Sequence, residues 1–239
     1  VDAASGELVE RLDDVTGIPW RLSCAREAPL AVMGSSGPEA VVIDVAARRV
    51  VQRLKHTNTS VYTPVFTPDE RQVITADKTG RLRRFDALSG ELLAEVPTDE
   101  LCEALAISAD GRWLALGGNT ISIVDAATFR PVSRLRDHQA TVVALTFDLA
   151  GRRLFSGSLD HRVVEWTMPT TRAGQRYTAP STSELDSAVL TADATVLVAG
   201  ADDGAITLWN AETNELSGRI DAHVAPVRAL RVLHADRLV

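Results

Sequence analysis

The chain has 239 residues, a formal net charge of −7 and 45% hydrophobic residues. This acidity argues against a general phosphate-binding surface, which needs clustered positive charge, so we expect no nucleic-acid partner. No apolar run approaches the roughly 18 residues that a membrane-spanning helix requires, and no membrane association is expected.

Along the chain, strand-like apolar runs end in Asp or a similar polar residue, and a polar turn follows each one. These ends fall at positions 2, 44, 86, 125, 167 and 210, with spacings of 42, 42, 39, 42 and 43 residues. A period of about 40 to 45 residues indicates one supersecondary unit per repeat, built from four strands.

In chain order, each run end leads into a short alternating strand, as in DVAARRVVQRL. Two apolar runs joined by a tight turn come next, as in ALAISADGRWLALGG. Asp and Gly suit that turn because both tolerate its backbone angles. No segment shows a convincing helical period. The pattern predicts an all-β fold of four-stranded antiparallel units, with five complete repeats plus a partial one.

The stretch from Ser156 to Thr167, SGSLDHRVVEWT, contains residue types that are found in hydrolase sites. A similar stretch follows 43 residues later and places Asp203 and Trp209 at the positions of Asp160 and Trp166. A nucleophilic serine should occupy an exposed sharp turn beside oxyanion donors, whereas Ser156 lies in an alternating strand. The recurrence therefore favours a structural role over a catalytic one.

This arrangement resembles the WD-repeat β-propeller family over essentially all of the chain. In that family each repeat carries a His before the first strand, a Ser or Thr in the second, an Asp in the following turn and a Trp in the third. The resemblance implies a structural hydrogen-bond relay formed by His138, Ser156, Asp160 and Trp166.

Other repeats match this pattern in part. The resemblance implies a partial relay of Asp203 and Trp209. Thr75 keeps the hydroxyl of the second strand, whereas Thr79 stands where the Asp is expected, and His56 precedes a strand.

The resemblance also implies a function, that of a non-catalytic protein-interaction scaffold or sensor propeller within a larger signalling or regulatory protein. The composition is similar to that of repeats in bacterial proteins whose parent chains carry ATPase or kinase activity. A protein or peptide partner would bind the narrow face, which the loops before the first strand and the turns before the third strand line. The candidate residues there are Lys78, Asp99, Gln139, Leu159 and Asp202. The alternative is a propeller enzyme, hydrolase or quinoprotein-like, with a site at the channel mouth.

No cofactor and no metal ion are expected, because the chain has no CxxC pair, HExxH motif, P-loop or dinucleotide fingerprint. Cys24 and Cys102 fall in different, non-neighbouring repeats, which disfavours a disulfide and favours a reduced, cytoplasmic location. Arg81, Arg83 and Arg84 predict a solvated strand face. Trp20 and Trp113 are interpreted as packing residues.

The two ends of the sequence interrupt the repeat pattern. Val1 and Asp2 match the tail of a third strand, and the last repeat stops at Leu238 and Val239, inside its second strand. We expect a single module over 1–239 that starts and ends in mid-repeat, as an excerpt of a seven-bladed or larger ring. A six-bladed ring that lacks one strand is the alternative.

Overall fold

The computed structural model describes residues 15–57, 59–98, 101–168, 173–180, 183–191, 193–230, 232–233 and 237–238. In these ranges all regular structure is β-strand, which confirms the predicted all-β class. None of these segments forms a helix long and apolar enough to cross a membrane. The chain forms two compact units, Val1–Thr98 and Asp99–Val239.

The first unit contains two antiparallel sheets of four strands each, and within each sheet the strands follow chain order. Sheet 1 consists of β1 Pro19–Cys24, β2 Leu30–Ser35, β3 Glu39–Asp44 and β4 Arg49–Lys55. Sheet 2 consists of β5 Val61–Phe66, β6 Gln72–Asp77, β7 Arg81–Asp86 and β8 Leu92–Pro97.

The second unit contains three further sheets of the same kind and a short hairpin. Sheet 3 consists of β9 Ala104–Ile107, β10 Trp113–Gly117, β11 Ile121–Asp125 and β12 Pro131–Leu135. Sheet 4 consists of β13 Val142–Phe147, β14 Arg153–Ser158, β15 Arg162–Thr167 and β16 Ala173–Thr178. Sheet 5 consists of β17 Leu185–Leu190, β18 Val196–Ala201, β19 Ala205–Asn210 and β20 Leu216–Asp221. The hairpin pairs β21 Val232–Leu233 with β22 Arg237–Leu238.

The recurring polar residue at each run end has a clear structural reason. Asp44, Asp86, Asp125 and Asn210 are the last residues of the third strands in their sheets. In each case a side-chain oxygen accepts a hydrogen bond from the backbone N–H three residues later, at 2.7–2.9 Å. This local bond closes the turn to the outer strand, which explains why Asp and Asn recur at these positions.

The core of each unit lies between neighbouring sheets, where the apolar residues of alternating strands meet. In the first unit, Val32 and Leu54 of sheet 1 pack with Val73 and Phe85 of sheet 2. Gly34 allows this close approach, since a Cβ there would lie 2.4 Å from the carbonyl oxygen of Val61. A larger residue at that position would push the two sheets apart.

In the second unit, two further clusters join sheet 3 to sheet 4 and sheet 4 to sheet 5. The first contains Trp113, Leu154 and Trp166, and the second contains Tyr177 and Trp209, whose rings meet edge to face at 6.1 Å. Both faces of sheet 4 are therefore covered, as expected for a repeat that lies between two others.

The antiparallel geometry places the same two connections of every repeat at one end of its sheet. The turn from the second to the third strand and the loop that leads to the first strand of the next sheet share this end, here called the turn edge. Residues that are distant in sequence can therefore meet there.

The predictions for the two chain ends lie largely outside the described residues. Val1, Asp2 and Val239 are not among the described residues, and the number of blades in a complete ring stays a prediction.

Candidate functional site

At the turn edge of sheet 4, two connections bring His138 and Asp160 together. His138 lies in the loop between β12 and β13, and Asp160 lies in the turn between β14 and β15. Ser156 on β14 is paired with Val164, and its neighbour Leu154 is paired with Trp166. The Ser156 and Trp166 side chains are therefore diagonal neighbours on one face of the sheet.

The four residues of the predicted relay form a continuous chain of hydrogen bonds. His138 Nδ1 lies 2.9 Å from Asp160 Oδ2, and His138 Nε2 lies 2.8 Å from Ser156 Oγ. Trp166 Nε1 donates to the same Ser156 oxygen at 2.8 Å. Asp160 also accepts the backbone N–H of Gln139 at 2.9 Å, so the carboxylate holds the loop as well as the imidazole.

Donor and acceptor capacity determines the direction of these bonds. An indole N–H only donates and a carboxylate only accepts, so a neutral His138 donates its Nδ1–H to Asp160 and accepts at Nε2. With this tautomer, Ser156 Oγ accepts a hydrogen bond from the Trp166 N–H and donates its own to His138 Nε2. Ser156 is 0% exposed. Its oxygen cannot reach a substrate from this position, and the Ser, His and Asp together act as a structural tie.

Asp203 and Trp209 occupy the equivalent places in sheet 5, but their surroundings differ. Asp203 Oδ2 pairs with the guanidinium of Arg219 at 3.0 Å, and both side chains are about one-third exposed. Trp209 is buried in the apolar cluster beside Tyr177. In this sheet the turn carboxylate is paired with an arginine of the outer strand β20.

Sheet 2 contains a buried ion cluster that the sequence analysis missed. It consists of His56, Thr75, Asp77, Arg83 and Glu95. Thr79 does replace the expected turn carboxylate, but Asp77, two residues earlier, supplies one instead. Asp77 is 0% exposed and Arg83 is 3% exposed. The prediction of a solvated face at Arg81, Arg83 and Arg84 is therefore wrong for Arg83.

The hydrogen bonds of this cluster run in the opposite direction from those of the relay. Arg83 Nη1 contacts both Asp77 Oδ2 and His56 Nδ1, the latter at 2.6 Å. A guanidinium only donates, so His56 must accept at Nδ1 and donate its Nε2–H to Thr75 Oγ1, 3.1 Å away. Phe85 occupies the strand position that Trp166 has in sheet 4, and its side chain has no N–H donor. The imidazole therefore supplies the donor that an indole supplies in sheet 4.

His56 also makes the stability of the first unit dependent on pH. Burial, followed by the positive charge of Arg83, lowers the pKa of His56 from 6.5 to about 4. Between these values the unfolded chain binds a proton that the folded chain does not. We expect the free energy of unfolding to fall by about 2 kcal/mol between pH 7 and pH 5.

This prediction can be measured by urea unfolding at both pH values, followed through the emission of Trp20, the one tryptophan of residues 1–98. His56→Gln serves as the control because an amide does not titrate, and it should flatten the pH dependence. Equal pH dependence in both proteins would contradict the assignment of a neutral, buried His56.

The two tryptophans that were interpreted as packing residues differ in environment. Trp113 is 8% exposed and packs in the core, with the Arg112 guanidinium 4.4 Å from its ring centre. Trp20 is half-buried and stacks on Tyr62, with ring centroids 4.3 Å apart and an interplanar angle of 19°. Both stacked residues lie at register shifts in the first strands of their sheets, which turn them out of the regular alternation.

The candidate partner residues all belong to connections at the turn edges of their sheets, except for Asp99, which lies outside the described residues. Lys78, Gln139 and Asp202 are exposed, and Leu159 is half-buried. Among the residues that the structure describes, no group of three or more His, Cys, Asp or Glu side chains is placed to hold a metal ion.

Five four-stranded antiparallel sheets, one of them tied by a His, Ser, Asp and Trp relay, define a repeat protein of the propeller-blade class. The model of the family described as "WD domain, G-beta repeat" matches residues 129–167, which contain the whole relay. Residues 129–167 thus form a WD repeat, and the other four sheets repeat its four-stranded antiparallel arrangement. Repeats of this family form scaffolds for protein interaction.

Curated relatives extend the similarity beyond this one repeat. Autophagy-related protein 16 of Arabidopsis thaliana is 21% identical over 95% of this chain and 46% of its own length. U3 small nucleolar RNA-associated protein 21 of Saccharomyces cerevisiae is 30% identical over 42% of this chain and 11% of its own length. COMPASS component SWD3 of the same yeast is 28% identical over 49% of this chain and 36% of its own length. The chain thus spans less than half the length of each of these relatives.

Proposed function

We propose that this chain is a non-catalytic platform that binds a protein or peptide partner at its turn edges, which correspond to the narrow face in the family. The observation that carries the proposal is the way in which the exposed residues are held. Gln139 is exposed, yet its backbone N–H is fixed by Asp160, which also holds the buried His138. Residues on a clamped loop lose little conformational entropy on binding, which favours recognition.

Differences between the sheets support the proposal. The turns between second and third strands present a lysine at position 78, a leucine at 159 and an aspartate at 202. A regular backbone with a different side chain at each equivalent position suits recognition of one particular partner. One relative, SWD3, is named as a component of COMPASS, and a component role agrees with this proposal.

We further propose that the platform has a signalling or sensor role within a longer protein. Support comes from the relatives, since this chain corresponds to less than half of each of them. We propose a cytoplasmic location, because Cys24 and Cys102 fall in different, non-neighbouring repeats, which disfavours a disulfide. An enzyme activity of the module has less support, because the buried Ser156 hydroxyl is already engaged in the relay.

Charge reversal at the turn edges tests the platform. We expect Lys78→Glu, Asp99→Lys and Asp202→Lys, made in the full-length protein, to fold normally and to reduce the recovery of its cellular partners by about tenfold or more. A loss of this size is expected because charge reversal replaces an attraction to the partner by a repulsion between like charges. Such a repulsion costs more binding free energy than the loss of one contact. Quantitative affinity purification with mass spectrometry provides the measurement.

Control variants lie at the opposite ends of sheets 2 and 3. Arg130→Glu and Glu91→Lys reverse exposed charges in the turns between third and fourth strands, and both should leave partner recovery unchanged. If the turn-edge variants retain every partner, or if the control variants lose them equally, the turn edges are not the binding surface.

A further inference from the structure

A polar cleft opens at the turn edge of the first unit, where three connections from sheets 1 and 2 meet. It has a volume of about 520 Å³, within the range of small-molecule binding sites. This polar cleft is lined by Ser36, Pro38, Thr59, Ser60, Lys78 and Thr79. Lys78 is thus both a candidate partner residue and part of a concave site.

Two groups of the cleft can donate hydrogen bonds to a ligand. Ser36 Oγ accepts the backbone N–H of Ile18 at 2.8 Å, which leaves the hydroxyl hydrogen of Ser36 to donate. The exposed ammonium of Lys78 makes no ion pair with any residue in the described ranges. A cation and a hydroxyl that face the same space form a site for an oxyanion.

The local charge of the cleft is opposite to that of the whole chain. The six lining residues include one cation and no carboxylate. The carboxylate next in sequence, that of Asp77, is fully buried beneath the turn and is paired with Arg83. Arg83 therefore neutralises this carboxylate, and the lining carries a local positive charge at Lys78 although the net charge of the chain is −7.

Hydrogen bonds between the three connections hold the cleft in shape. Ser60 Oγ donates to the Ser36 carbonyl oxygen at 3.1 Å, and the Lys78 backbone N–H donates to the Ser60 carbonyl oxygen at 3.1 Å. Thr79 Oγ1 donates to Asp77 Oδ1 at 2.6 Å, which ties the third connection to the buried ion cluster. A site that is fixed before binding avoids much of the entropy cost of ordering its residues.

We propose that the polar cleft binds the phosphate group of a phosphorylated serine or threonine in a partner protein. The inference rests on the proposed function, since it assumes a protein partner at the turn edge. A phosphate monoester carries a charge of about −1.5 to −2 and has three acceptor oxygens, enough for Lys78 and Ser36 to bind different oxygens. A single lysine in an acidic chain suits one phosphate group and not a polyanion.

The stacked pair of Trp20 and Tyr62 supplies an optical signal for the cleft. Trp20 is two residues from Ile18, which binds Ser36, and Tyr62 is two residues from Ser60. The other tryptophans, Trp113, Trp166 and Trp209, are 8% exposed or less. Ligand entry should therefore change the emission of Trp20 far more than that of the others.

The test uses a peptide library with a fixed central phosphoserine or phosphothreonine and randomised flanks, together with its unphosphorylated twin and inorganic phosphate. Binding to the full chain is followed by tryptophan emission and calorimetry. We expect the phosphorylated library to bind at least about tenfold more tightly than either other probe. Lys78→Gln should weaken that binding by about tenfold, the usual effect of losing a charge-assisted hydrogen bond.

Lys55 provides the matched control, because it and Lys78 are the two lysines of the chain and Lys55 does not line the cleft. Lys55→Gln should bind the phosphorylated library normally. Acylation with an amine-reactive reagent gives a second readout, in which the bound library should protect Lys78 but not Lys55. Trp20→Phe should lose the optical signal and keep the calorimetric one.

Three results would overturn the inference: no preference for the phosphorylated library, binding that Lys78→Gln leaves unchanged, or inorganic phosphate that binds as tightly as the peptides. These results are separable from failure of the proposed function. If the turn-edge variants lose their partners while the phosphorylated library does not bind, the platform stands and only the phosphate assignment falls.

Discussion

Arg83→Met is expected to lower the free energy of unfolding of the first unit by about 3 to 5 kcal/mol. Methionine replaces much of the arginine stem but removes the guanidinium that joins Asp77, His56 and Glu95. The variant leaves the buried Asp77 carboxylate without its cation, and the His56 Nδ1 atom, 3.4 Å from Asp77 Oδ2, is a weaker replacement. Urea unfolding followed by Trp20 emission measures the loss in the unit concerned.

Arg81→Met is the matched control for this prediction. Arg81 binds the same Glu95 carboxylate at 2.5 Å, but its side chain is 47% exposed. Exposed ion pairs contribute at most about 1 kcal/mol, so this variant should change stability little. The double variant Asp77→Asn with Arg83→Met should recover part of the loss, because it removes both buried charges. Equal losses for Arg83→Met and Arg81→Met would show that the buried ion cluster does not stabilise the unit.

Asp160→Ala is expected to destabilise the second unit by about 2 to 4 kcal/mol. The substitution removes the acceptor for the buried His138 side chain, which is 3% exposed, and for the backbone N–H of Gln139. The loosened imidazole then no longer orients the Ser156 hydroxyl that accepts from Trp166. Hydrogen exchange should rise in β14 and β15, and the indole N–H resonance of Trp166 should shift.

Asp203→Ala provides the comparison at the equivalent turn of sheet 5. There the carboxylate pairs with a partly exposed arginine and no buried imidazole depends on it, so about 1 kcal/mol or less should be lost. Similar losses at the two turns would remove the argument for a relay. A stable Asp160→Ala protein that had lost a hydrolytic activity would instead assign catalysis to Ser156.

The relay and the buried ion cluster hold equivalent loops, but the hydrogen bonds of their imidazoles run in opposite directions. Each ties the loop before a first strand to the second strand through an imidazole and a hydroxyl. The choice of tautomer follows the partners: His138 donates a hydrogen bond from Nδ1 to a carboxylate, whereas His56 accepts one at Nδ1 from a guanidinium. A repeat can therefore lose its turn Asp and its Trp and still hold its loop, provided that every buried donor finds an acceptor.

The sequence by itself determined the repeat, the strand order within it and the turns. The run ends at positions 44, 86, 125, 167 and 210 are the last residues of the third strands, because the Asp or Asn found at four of them makes a local bond that needs no tertiary contact. The register shifts at Trp20 and Tyr62 were not predictable from alternation, since they arise from pairing between strands.

Only the tertiary structure decided which polar residues are buried together. His138 and Asp160 were predictable as partners because the family pattern places them, but the pairing of Asp77 with Arg83 was not. Asp77 lies two residues before the expected turn position, and Arg83 lies in an arginine-rich strand that looks like a solvated edge. Packing of sheet 1 against sheet 2 excludes water from that strand, and burial forces the guanidinium, the carboxylates and the imidazole to satisfy one another.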